Sequence, residues 1–159
     1  MRRFGALAFA MAFAGCAAGS ALYETTPACA LLSEAEASAI LGQAMTSKGG
    51  MADPGMYDCY WDGAGGIRLE FALNDAALYA PSGQTASDEF DRMIKATTAA
   101  GDAPELIDGI GERAALHRSE NPAAWFLTVV AGGDYLTISL TGATRTAILT
   151  LGKTVAPRM

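Results

Sequence analysis

The chain has 159 residues, 51% of them apolar, and a formal charge of −6 at neutral pH. That length supports one domain with a buried core and is short for two. Its 11 lysines and arginines face 17 acidic residues and form no cluster, which excludes nucleic acid as a partner and argues against direct electrostatic attachment to anionic lipid heads.

Met1-Arg2-Arg3 is followed by an uncharged run from Phe4 to Ala14. A short basic start before an apolar stretch of this length predicts an export signal over residues 1–15. The stretch is too short to cross a bilayer as a mature helix, and it lacks the polar face of an amphipathic one. Phe13-Ala14-Gly15-Cys16 resembles the lipobox of bacterial lipoproteins, with Phe13 where leucine is usual. The resemblance implies lipid attachment at Cys16 and a lipidated tether over residues 16–28. A soluble secreted form, cut among the small residues on either side of Cys16, is the alternative. The chain has three cysteines. If Cys16 carries lipid, Cys29 and Cys59 remain as a pair in an oxidising compartment. Loss of Arg2 and Arg3 leaves nine basic against seventeen acidic residues, a mature charge near −8.

Beyond the tether, Ser33-Glu34-Ala35-Glu36 has capping-box spacing and predicts a helix from Glu34 to Leu41, closed by Gly42. Ala35, Ala39 and Ile40 would form its apolar side. Gln43 to Gly55, with Gly49-Gly50 and Asp53-Pro54-Gly55, predicts a loop. Met56–Asp62 and Ile67–Asn74 alternate cleanly and are joined by Gly63-Ala64-Gly65-Gly66, so they predict a hairpin. Centring it near Gly65 sets Trp61 opposite Leu69, Cys59 opposite Phe71, and Asp62 opposite Arg68 as a charge pair on the wet face. Ser87 would cap a second helix with Phe90, Met93, Ile94 and Thr97 along its apolar stripe, ended by Gly101. Strands follow at Arg113–Arg118, Trp125–Ala131 and Tyr135–Leu140. The Gly132-Gly133 turn pairs Val129, Leu127 and Trp125 with Leu136, Ile138 and Leu140, and Thr128 with Thr137. A last helix runs from Thr144 to Val155, weakened at Gly152 by about 1 kcal/mol relative to alanine, and Pro157 stops it. The expected fold is α+β: one hairpin plus a three-stranded meander in an antiparallel sheet, packed with three helices, in a single domain over residues 29–156.

Cys29-Ala-Leu-Leu-Ser-x-x-Glu, Gly42, Cys59-Tyr-Trp, Gly109-Ile-Gly111 and the alanine-containing last helix together resemble a group of small exported bacterial lipoproteins. That group is a domain-of-unknown-function family frequent in actinobacteria. The resemblance implies a Cys29–Cys59 disulfide and an envelope location, and it implies no activity.

Chemistry is sparse in the sequence. His117 is the only histidine; no Gly-x-Ser-x-Gly elbow accompanies it, so no catalytic residue is assigned. Zinc patterns are absent, and Asp53, Asp58 and Asp62 do not form a calcium loop, so no metal and no cofactor is expected. Tyr60, Phe126, Val130 and Tyr135 fall on the outward strand faces. Either a helix covers them or Tyr60, Phe126 and Tyr135 form a surface for an apolar ligand or an unidentified envelope protein. The expected function is a non-catalytic, lipid-anchored, extracytoplasmic binding or accessory module. The alternatives are an envelope hydrolase using His117 with a carboxylate, and a membrane-presented inhibitor or folding partner.

Overall fold

The computed structural model of the chain describes residues 26–120 and 123–159. The segment expected to be a signal at 1–15, Cys16, and the expected tether up to residue 25 lie outside these described residues. Thr26, inside the segment expected to be tether, already belongs to the fold. The Thr26 hydroxyl accepts from the Cys29 amide and donates to the Asp58 carbonyl at 2.8 Å, and its side chain is buried. It caps a single turn, α1 (Pro27–Ala30). Next comes α2 (Glu34–Leu41), whose Ser33–Glu36 capping box forms as expected and whose end is the left-handed Gly42. The buried residue of α2 is Ala37, while Ala35 and Ala39 are exposed, which corrects the expected apolar side.

The segment expected to be a loop holds two strands, β1 (Met45–Gly49) and β2 (Ala52–Asp53). Both lie on one edge of β3 (Met56–Gly63). β4 (Arg68–Asn74) pairs with β3 in the expected register, including Cys59 with Phe71 and Trp61 with Leu69. After the turn α3 (Ala76–Tyr79) comes α4 (Ala86–Ala99). Its cap is Thr85, not Ser87: the Thr85 hydroxyl accepts from the Asp88 amide and the Asp88 carboxylate accepts from the Thr85 amide. A short β5 (Glu105–Leu106) precedes the meander of β6 (Arg113–Glu120), β7 (Ala123–Ala131) and β8 (Asp134–Thr141), each longer than expected. The Gly132-Gly133 turn sets the predicted pairs, Thr128 with Thr137 among them. α5 (Arg145–Val155) closes the chain.

The fold is α+β, with more elements than expected: among the described residues, eight strands and five helices, two of the helices single turns. The strands form one antiparallel sheet in the order β1-β3-β4-β8-β7-β6-β5, with β2 beside β3. Hairpin and meander are thus fused, because β4 pairs with β8. The inner face carries the main core. Cys59, Trp61, Phe71, Leu127, Ile138 and Leu140 are shut from solvent beneath α1, α2 and α5. Burying a side chain of that size contributes about 1.5–3 kcal/mol. The Cys29–Cys59 disulfide is present, with Cα atoms 5.1 Å apart, and ties α1 to the middle of β3. Arg158, just beyond α5, donates to the Leu31 carbonyl and the Glu36 carboxylate, fastening the segment after α5 to the start of α2.

Candidate functional site

The outer face is divided. Phe90 of α4, itself 1% exposed, packs over Val130, Ala115 and Tyr135, and Tyr79 joins the same cluster. Tyr135 is 8% exposed and Val130 1%; for these two the helix-covered alternative holds. Tyr135 is therefore removed from the candidate surface. Burial pushes its hydroxyl above the ordinary tyrosine range.

Among the described residues no helix roofs the other half. Strand registers place Tyr60, Glu70, Ser139, Phe126 and His117 in one row across five strands, and each is partly exposed. The next row, toward the Glu120 end of β6, is Asp62, Arg68, Thr141, Ala124 and Ser119. Phe126 and Tyr60 thus keep the exposure that Tyr135 loses. Each already has a partner on one ring face. His117 stacks on Phe126 at 4.9 Å with the rings 8° apart, and the Arg68 guanidinium lies over Tyr60 at 5.1 Å. Such a cation over a ring contributes about 0.5–1 kcal/mol at an exposed site.

Titration follows burial in this row. The Tyr60 hydroxyl is pushed up by desolvation first and by the Glu70 and Asp58 charges after it. Glu70 is also raised by desolvation, against the pull of Arg68. The His117 imidazole is lowered by desolvation, with Asp102 opposing, and its Nδ1 is buried without a partner among the described residues. Strands lie about 4.8 Å apart. His117 is therefore roughly 10 Å from Ser139 and roughly 14 Å from Glu70 across the ladder, beyond the hydrogen-bond reach a nucleophile and its base need.

The acidic residues weighed for calcium disperse. Asp58 accepts from the Tyr60 hydroxyl at 3.4 Å, and Asp62 stands opposite Arg68. Among the described residues no group of three His, Cys, Asp or Glu side chains is placed to hold a metal. The expected Asp62–Arg68 ion pair does not form, although the two residues are in register. The guanidinium lies over Tyr60 instead.

Three residues of the open face escaped the sequence reasoning: Lys48, Met51 and Arg68 as a free cation. With Tyr60 and Asp62 they line a groove of about 450 Å³. The available signal was Gly49-Gly50, which pointed to a turn and marks a bulge. Comparison with protein-family models, with curated proteins and with solved structures finds no match to this chain.

Proposed function

We propose that the chain is a non-catalytic, lipid-anchored binding or accessory module of the bacterial cell envelope. It would present the uncovered half of its outer sheet face to an envelope partner or an apolar ligand. The observation that carries this reading is the division of one face: α4 roofs Tyr135 and Val130 but stops short of Tyr60, Glu70, Ser139 and Phe126. A face with rings, a carboxylate, a guanidinium and hydroxyls in one row has the mixed character of a recognition surface. The disulfide suits an oxidising compartment, the resemblance of Phe13-Ala14-Gly15-Cys16 to a lipobox supports an anchor at Cys16, and the resemblance to small exported lipoproteins supports an envelope location.

Photo-crosslinking tests the face. A crosslinker at Ser139 or Phe126 is expected to give discrete adducts in intact envelopes, and one at Lys153 on α5 is not. Equal adduct patterns from both sides would remove the assignment. The anchor has its own readout: Cys16→Ser is expected to move the protein from the detergent phase to the aqueous phase, or to leave it unprocessed.

A further inference from the structure

We propose that the groove between Lys48, Tyr60 and Arg68 binds a ligand carrying one carboxylate beside a small apolar group. This rests on the open-face reading above and gives it a ligand class. The groove's volume, about 450 Å³, is within the range of small-ligand sites.

The backbone is built to line it. Ser47 lies opposite Trp61 and Gly49 opposite Tyr60, so Lys48 is the extra residue of a bulge, a device that re-aims a side chain. The bulge depends on glycines. Gly49 has φ +70°, and a Cβ on Gly50 would lie 1.6 Å from the Asp58 carbonyl oxygen. Lys48 in consequence lines the groove together with Arg68.

Arg68 is singular. Among the described residues Arg92, Arg113, Arg118, Arg145 and Arg158 each pair with a carboxylate. Within the same described residues Arg68 forms no ion pair and no hydrogen bond, although Asp62 stands opposite and Glu70, on which its charge acts, lies two residues on. Its guanidinium is held over the Tyr60 ring, which limits its motion without using its donor fork.

Charge and shape select the ligand. Lys48 and Arg68 are two cations against one carboxylate, Asp62, in the groove lining, while the Glu70 and Asp58 charges also reach Tyr60; these surrounding carboxylates favour a ligand with a single anionic group over one with two. A dianion would face Asp62, with Asp58 and Glu70 on the same strands. A planar carboxylate accepts two parallel bonds from a guanidinium. Met51, 62% exposed, and the Tyr60 ring supply carbon surface for the apolar group. The carboxylate could belong to a peptide C-terminus or to a free acid.

The test is an NMR titration of the isotope-labelled, disulfide-intact exported protein. The probes are N-acetyl-alanyl-alanine, the same peptide as its C-terminal amide, hexanoate and inorganic phosphate. Saturable shifts of the Lys48, Tyr60 and Arg68 amides with a carboxylate probe, and none with amide or phosphate, are expected. Tighter binding of the peptide acid names a C-terminus as the source; tighter binding of hexanoate names a free acid. Arg68→Ala should weaken the interaction about tenfold or more, and Lys48→Ala should weaken it less. Lys48→Ala also carries the test if the Arg68 variant does not fold. Equal shifts with acid and amide, no saturation at millimolar ligand, or unchanged affinity in both variants overturns the proposal. If the carboxylates fail while Ser139 still crosslinks, the groove assignment alone falls; if they bind while Ser139 gives no adduct, the wider face reading alone falls.

Discussion

Replacing Gly152 by alanine sets two effects against each other. In an open helix interior the change gains about 1 kcal/mol, because glycine loses more backbone freedom on folding. Gly152 instead lies buried where α5 crosses the sheet. A Cβ there would stand 2.3 Å from Leu127 Cδ2 and 3.3 Å from Ile110 Cγ2. Carbon atoms settle at about 3.5–4 Å, so Leu127 would have to retreat by roughly 1 Å or more. Leu127 is wholly buried in β7, so its Cδ2 can retreat only by repacking against other core side chains. Overfilling such a core costs about 1–3 kcal/mol. With the helix gain subtracted, Gly152→Ala is expected to destabilise by about 1 kcal/mol, a fall of about 4 °C in Tm. Urea unfolding of the oxidised domain reads this as a lower midpoint at unchanged slope. In a Leu127→Ala background the clash disappears and the same change should stabilise by about 1 kcal/mol. A stabilised single mutant would refute the close seating of α5 on β7.

Reducing the Cys29–Cys59 bond, or replacing both cysteines by serine, should lower stability by about 3–4 kcal/mol, the loop-closure value for a separation of 30 residues; coincident urea curves with and without reductant would contradict it. Glu36 is held down to about 2 by its hydrogen bond from Arg158 and by Ser33. Its contribution is therefore present above pH 4.5 and lost as pH falls toward about 2. Glu36→Gln should flatten Tm against pH across that window; an unchanged acid limb would mean the clasp is idle. His117 titrates below its ordinary 6.5 through burial. The unfolded chain binds that proton more readily, so His117 favours folding above pH 6.5 and costs stability as pH falls below it. An imidazole NMR titration at or above 6.5 would show the ring to be better solvated than its place beside Phe126 implies.

The parts of the fold legible in the sequence were those where two constraints agreed. In the β3–β4 hairpin the turn glycines and both faces demand the same register, so a slip of one residue would bury Arg68 and expose Phe71. β1 was not legible: Met-Thr-Ser-Lys-Gly has one buried apolar side chain, Met45. Its free edge is satisfied instead by α2, whose Ser38 hydroxyl and Glu34 carboxylate accept from the Met45 and Ser47 amides. At the start of α4, threonine and serine two residues apart are equal candidates, and Asp88 decides between them by closing the box on Thr85. Alanines carry little directional information, hence the wrong side assigned to α2. The outer aromatics were placed on the right face, but alternation cannot say how far along that face a helix reaches. That distance separates Tyr135 from Phe126, and with it roof from groove.

The disulfide also sets where tension enters the molecule. Cys29 lies three residues beyond Thr26, and Cys59 sits mid-strand in β3 with β1 on one side and β4 on the other. A pull applied ahead of Thr26 crosses the sulfur bridge into the sheet's interior. The chain between the two cysteines, holding α2, β1 and β2, lies off that load path and cannot be drawn out while the bridge is intact. Extension beyond it acts on β3 from Cys59 onward, where Tyr60, Trp61 and Asp62 pair with Glu70, Leu69 and Arg68, so force from that side enters at the covalent crosslink and the interior ladder and bypasses β1 and β2.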